Sequence, residues 1–385
     1  MPIRGKLINK IFKKINLFAL SRNVLNRRAP SFKVDGSKKG IIFYPDWSNS
    51  NAYQKLLYYN LSNLYDIKIY GFNPNQFTKE HLEKYAKYAK VLHLHWINAL
   101  FEINDDLSII NFLENVKYAK KIGYTIVWTV HNFISHESED IQKEIQIRKK
   151  LSQIVDCILV HGKFAKDTIE QEYGVDSRKI NIIPHGHYKG YYKNTISKSD
   201  ARAKLNINES DYVFLFFGNV RSYKGLKELI ESFILVNKKY ANSSLIIAGR
   251  ALDKDVATFV VDKSKEHHKI FPFLYFIPDD EVQIYFNASD IVVLPFKNIL
   301  TSGSALLAIS FYKPIIVPSK GLLPELVNKN TGYLFHTYKE MENIMFESIL
   351  CNEKPNFISH TFDETIERLE WDLILSNSMF KHYLG

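Results

Sequence analysis

From Gly40 onward, short apolar runs rich in β-branched residues alternate with longer stretches of helical composition. Ile41–Tyr44, Ile67–Tyr70, Val91–His95, Thr125–Val130 and Cys157–His161 read as strands, with helices over 50–62, 106–121, 138–154 and 163–173 between them. Ile180–Ile183 adds a strand closed by Pro184. A second series places strands at Val213–Phe217, Leu245–Ala248, Leu274–Ile277, Ile291–Pro295 and Ile315–Pro318, separated by helices over 224–238, 280–287, 303–312 and 338–350. Near-continuous apolar strands interleaved with helices predict parallel sheets covered on both faces. The fold class is therefore α/β, with two consecutive doubly wound, Rossmann-like domains facing a cleft. The Gly-, Tyr-, Lys- and Ser-rich stretch 185–200 reads as the linker. The expected organisation is a basic segment 1–39, a first domain 40–190, a second domain 191–361, and a closing helix within 362–385 that rejoins the first domain.

A chain of 385 residues and 44.9 kDa is too long for one ordinary core, which agrees with two domains. Two cysteines, Cys157 and Cys351, exclude a disulfide framework or a four-cysteine zinc site and fit a reducing compartment. The N-terminus lacks an uninterrupted apolar stretch of the kind a signal peptide carries. The net charge is +10, and residues 1–39 hold eleven Lys and Arg against Asp35 alone, so the globular body is neutral. Within that segment Ile3, Leu7, Ile8, Ile11, Phe12, Ile15 and Phe18 share one helical face, and Lys6, Lys10, Lys13 and Lys14 lie opposite. Such a helix suits an anionic membrane surface, here through residues 1–30, and places the protein on the cytoplasmic, inner face of the membrane as a peripheral protein. The neutral body and the lack of a recognition motif argue against a nucleic-acid partner.

In open α/β sheets, ligands bind beyond the carboxyl ends of the strands, so residues just after strands are the candidates. Gly218, Arg221 and Lys224 lie on a loop that opens a helix at Gly225, an arrangement suited to a diphosphate. Thr301-Ser302-Gly303-Ser304 offers hydroxyls and free N–H groups at a second helix start. His131 and Asn132 end a strand and are followed by His136 and Glu137. His93 and His95 share a strand face ahead of Trp96, Asp46 and Trp47 follow the first strand, and His185 stands at the linker. No third ligand stands at metal-binding spacing beside the histidine pair, so no metal is expected. No Gly-x-Gly-x-x-Gly, Walker A or Gly-x-Ser-x-Gly motif is present, which counts against a dinucleotide oxidoreductase, a P-loop enzyme and a hydrolase.

Taken in order, Thr129-Val130-His131-Asn132, Ile183-Pro184-His185-Gly186, Gly218…Arg221…Lys224-Gly225, Ile246-Ile247-Ala248-Gly249, Ala288-Ser289-Asp290-Ile291, Lys313-Pro314 and Pro324-Glu325-Leu326 resemble a GT-B glycosyltransferase of the family 4 type, over residues 40 to about 380. The resemblance implies a nucleotide-sugar, UDP- or GDP-linked, as co-substrate and no other cofactor. It implies donor contacts at Gly218, Arg221, Lys224, Thr301, Ser302, Gly303, Ser304, Asn132, His185 and Glu325. His131, Asp46 and Glu137 become candidates for the chemistry, and His95, Trp96 and Trp47 for a saccharide or lipid-linked acceptor. Two glutamates usual in the family are replaced here by Ile299 and Leu307. The expected activity is metal-independent transfer of a sugar in surface polysaccharide or glycan synthesis. A GT-B-fold nucleotide-sugar epimerase and a membrane-bound scaffold with a decayed site are the alternatives.

Overall fold

The computed structural model describes residues 40–135, 138, 140–350, 359–378 and 380, with no side-chain description for 359–361. The basic amphipathic segment 1–39, His136, Glu137 and Cys351 lie outside the described residues. The first sheet has six parallel strands in the order β2-β1-β3-β4-β5-β6. These are β1 (Gly40–Tyr44), β2 (Lys68–Gly71), β3 (Val91–Leu94), β4 (Thr125–Thr129), β5 (Cys157–Val160) and β6 (Ile180–Ile182). The second sheet is also six-stranded and parallel, in the order β12-β11-β10-β7-β8-β9. Its strands are β7 (Tyr212–Phe217), β8 (Ser243–Ala248), β9 (Ile270–Phe273), β10 (Ile291–Val293), β11 (Ile315–Pro318) and β12 (Gly332–Phe335). β1, β5, β10 and β11 are buried along their whole length, which is why they read as unbroken apolar runs.

Two differences from expectation have plain causes. The strand expected at Leu274–Ile277 is Ile270–Phe273, so it contains Pro272. β9 is an edge strand, where a residue without an N–H is tolerated. Helices Lys79–Tyr85, Lys198–Leu205 and Lys254–Glu266 escape the apolar pattern because each buries only one to three side chains. The chain end carries two short helices, Ser359–Glu367 and Trp371–Ser376. The second of these packs on α1 (Ala52–Tyr65) of the first domain. There Trp371, Ile374, Leu375 and Phe380 share an apolar cluster with Ile41, Phe43, Tyr53 and Leu57. The Trp371 indole Nε1–H donates to the His187 carbonyl at 3.0 Å.

In each sheet the strand order reverses once, between β1 and β3 and between β7 and β10. Connections leave such a point in opposite directions and open a crevice at the carboxyl ends of the strands. The loops after β1, β3, β7 and β10 therefore decide what the molecule binds.

Candidate active site

The second domain brings the two expected phosphate elements together. A Cβ built on Gly218, at the end of β7, would lie 3.0 Å from Ser304 Oγ, so the loop after β7 touches the helix that follows β10. Ser302 caps that helix, Gly303–Ser310, by accepting from the Ala305 N–H at 3.2 Å. The Thr301 hydroxyl is buried without a hydrogen-bond partner. Gly225 has φ +72°, and a Cβ there would stand 1.9 Å from the Pro295 carbonyl oxygen. Only glycine lets the loop carrying Arg221 and Lys224 approach β10 so closely. Lys224 Nζ sits 4.4 Å from the centre of the Phe296 ring and 5.1 Å from that of Tyr223. Burial, with Arg221 nearby, pushes its pKa down to about 8. Among the described residues no carboxylate pairs with this ammonium, which leaves it able to take an anion.

Ile299 and Leu307, standing where the family has glutamates, are buried in the core of this domain. Neither can carry charge at the site.

The first domain presents aromatic and imidazole rings at its own reversal point. Trp47, after β1, stacks on Trp96, after β3, with ring centres 4.9 Å apart, and Trp96 stacks on His131 at 4.1 Å. This partly exposed shelf unites three expected residues from three loops. Beneath it lies a network of side chains. His93 Nε2 is 2.7 Å from Thr129 Oγ1, and its Nδ1 is 3.0 Å from the Tyr58 hydroxyl. The same hydroxyl is 2.6 Å from His95 Nε2. His95 Nδ1 is 3.0 Å from His131 Nε2, His131 Nδ1 is 3.4 Å from His161 Nε2, and His161 Nδ1 is 2.9 Å from the Ile183 carbonyl. Burial pushes His93 down to about 3 and His161 to about 4, and it holds His95 and His131 well below the usual imidazole range, helped by neighbouring imidazoles. All four rings are neutral at pH 7.

The structure places the remaining first-domain candidates as follows. His95 is fully buried, because strand alternation turns it toward α1, where its Nε2 lies 2.6 Å from the Tyr58 hydroxyl. It supports the shelf from below. Both ring nitrogens of His131 are taken inside the network, so in this arrangement neither faces a substrate proton. Asp46 organises its own turn: Oδ1 accepts from the Ser48 N–H at 2.9 Å and from the Ser48 hydroxyl at 2.6 Å. Glu137 lies outside the described residues.

Glu325, expected at the donor, reaches across the cleft. Its carboxylate accepts from the backbone N–H of Phe164 at 2.7 Å and of Lys163 at 3.0 Å, at the start of helix Lys163–Tyr173. That helix begins at Gly162, which supplies no side-chain cap of its own. A Cβ there would lie 2.6 Å from Glu325 Oε2. Glu325→Ala is expected to lower stability by about 1 kcal/mol, the usual worth of a helix cap, read as a lower urea midpoint. A variant with an unchanged midpoint would remove this cross-domain cap from consideration.

Two cavities lie between the domains. One of about 300 Å³ is lined by His161, His185, Thr301, Ser302, Glu325 and Arg368 among others. His185 is buried, with Nδ1 donating to the Gly186 carbonyl at 2.9 Å, and burial pushes it down to about 3. The other, of about 640 Å³, is lined by residues including Asn132, Phe164, Tyr223, Ile299 and Lys320. Sequence reasoning missed His161, although it follows β5 just as His131 follows β4. The strand-end rule that found one would have found both. Tyr58 and Arg368 gave no such signal.

Two facing Rossmann-like domains with basic and helix-start elements at one reversal point, and ring-bearing loops at the other, define the GT-B fold of glycosyltransferases. Residues 197–355 match the family model described as glycosyl transferases group 1. A GDP-mannose:glycolipid 4-beta-D-mannosyltransferase of Xanthomonas campestris pv. campestris is 24% identical over 300 residues, covering 75% of this chain and 76% of that protein. An alpha-monoglucosyldiacylglycerol synthase of Acholeplasma laidlawii is 27% identical over 185 residues, 47% of this chain and 46% of that protein. The structure of Anabaena Alr3699/HepE in complex with UDP superimposes with a TM-score of 0.67 at 15% identity, covering 88% of this chain and 97% of that one. Among the described residues no helix is long and apolar enough to cross a membrane.

Proposed function

We propose that this glycosyltransferase moves a sugar from a UDP- or GDP-linked donor to a glycolipid or lipid-linked saccharide at the inner face of the membrane, in surface glycan synthesis. The observation that carries the reading is the contact between the Gly218–Gly225 loop and the Thr301–Ser304 helix start. It sets the loop that carries Arg221 and Lys224 beside a helix start, where N–H groups of the first turn lack an intrahelical acceptor and favour an anion. Transfer leaves a nucleoside diphosphate behind, and fixed positive charge where that negative charge develops is commonly the largest catalytic term. Arg221, Lys224 and the helix start supply it without a metal, so activity withstands EDTA. The Trp47–Trp96 shelf, a partly exposed apolar surface, offers an acceptor sugar a face to stack on. The glycolipid acceptors named for the two relatives support a lipid-linked acceptor here.

A thermal-shift panel of UDP, GDP, CDP, ADP and dTDP tests the donor half. A ligand at a hundred times its dissociation constant stabilises by about 2.7 kcal/mol. UDP or GDP is expected to raise the melting temperature, and Arg221→Ala with Lys224→Ala to abolish the shift. Silence across the whole panel would turn the reading toward a scaffold with a decayed site.

A further inference from the structure

Thr129, His93, Tyr58, His95, His131 and His161 form one unbranched line of hydrogen-bonding groups that ends on the Ile183 carbonyl. Its direction follows from that end. A carbonyl only accepts, so His161 carries its proton on Nδ1. A neutral imidazole has one donor and one acceptor, which makes His161 Nε2 a lone pair. The group facing it, His131 Nδ1, then donates. The same step repeats along the line. His131 Nε2 accepts from His95 Nδ1–H, and His95 Nε2 accepts from the Tyr58 hydroxyl. The Tyr58 oxygen accepts from His93 Nδ1–H, and His93 Nε2 accepts from the Thr129 hydroxyl. Reversing the line from His131 onward would set two lone pairs against each other between His161 and His131, and reversing it further along would set the same clash at the point of reversal. The His161–His131 contact, at 3.4 Å, is the longest in the line and the one on which its direction turns.

We propose that His161, oriented by the Ile183 carbonyl, is a positioning residue that fixes His131, stacked on Trp96 just after β4, as the Nδ1–H tautomer. Ile183 immediately precedes Pro184 and His185, where the chain leaves the first sheet for the second. The tautomer of the ring beneath Trp96 is thereby tied to the path of the interdomain connection. Trp96, stacked on His131, holds the ring plane while His161 holds its proton. The catalytic consequence rests on the reading that His131 borders the donor site.

Imidazole ¹⁵N NMR of the full chain tests this, with each ring assigned by single-histidine replacement. In the wild type His93, His95, His131 and His161 are expected to be protonated on Nδ1, whereas free histidine favours Nε2. Nε2–H on His131 and His95 would overturn the proposal without any variant being made. Tyr58→Phe is expected to leave His131 as Nδ1–H, because the direction is set from the Ile183 end. His161→Phe is expected to move the His131 proton to Nε2. It should also lower kcat by about tenfold to a hundredfold, the scale at which a misplaced group costs, while the nucleotide-induced thermal shift stays. A tautomer change in His161→Phe with kcat unaltered would overturn the positioning role. Loss of the nucleotide shift in the wild type would instead count against the donor site, so the two readings fail separately.

Discussion

Lys224→Ala is expected to lower kcat/KM for the nucleotide-sugar by about a hundred- to a thousandfold, the effect of removing one preorganised group from a developing negative charge. The geometry argues for the upper half of that range. The ammonium rests on the faces of Phe296 and Tyr223 and has no carboxylate partner among the described residues. Its position therefore needs no rearrangement when a diphosphate arrives. Removing Arg221 as well should cost less than the two separate losses combined, because both act on one leaving group. The pH dependence follows from the same residue. With its pKa pushed down to about 8, Lys224 is charged below that pH and loses its proton as pH rises through it. The kcat/KM of the free enzyme should thus fall on the alkaline side near pH 8. Lys224→Arg should move that limb upward, since a guanidinium does not deprotonate in this range. A flat alkaline limb in the wild type would remove Lys224 from the phosphate site.

Trp371→Ala is expected to destabilise the first domain by about 3–5 kcal/mol, the cost of emptying a buried aromatic site. The ring is almost completely buried and packs against Tyr53 with centres 5.8 Å apart. It also lies over Gly186 so tightly that a Cβ there would come within 2.2 Å of the indole. Truncation empties that space and leaves the His187 carbonyl without its donor. Trp371→Phe keeps much of the volume and loses the hydrogen bond, so about 1–2 kcal/mol is expected. Urea unfolding followed by tryptophan fluorescence and far-UV dichroism reads both variants. Wild-type midpoints in Trp371→Ala would contradict the packing described here.

The sequence disclosed what local physics controls. Buried parallel strands show themselves because both faces need apolar residues, and the strand-end rule led to His131, Gly218 and the Trp47 and Trp96 loops. β12 escaped notice because Gly332-Tyr333-Leu334-Phe335 is short, opens on a glycine and is half exposed in its middle. What stayed hidden is tertiary. Tyr58 reads as one more apolar position on α1 until His93 and His95 are placed beneath it. Glu325 reads as a donor contact until Gly162 is seen to leave it room on the opposite domain. Nothing in the sequence shows that Asp46 Oδ1 also holds the Ser48 N–H and hydroxyl.

The return of the C-terminal helices to the first domain has a consequence for biosynthesis. The ribosome releases β1 early, yet the apolar cluster around Ile41, Phe43, Tyr53 and Leu57 receives Trp371, Ile374, Leu375 and Phe380 only after the whole second sheet has been made. Domains commonly fold in the order in which they emerge. Here the second sheet is fully synthesised before the first domain can complete its core. A nascent chain stalled short of Trp371 exposes that apolar face to solvent, and this is the interval in which a chaperone would have something to hold.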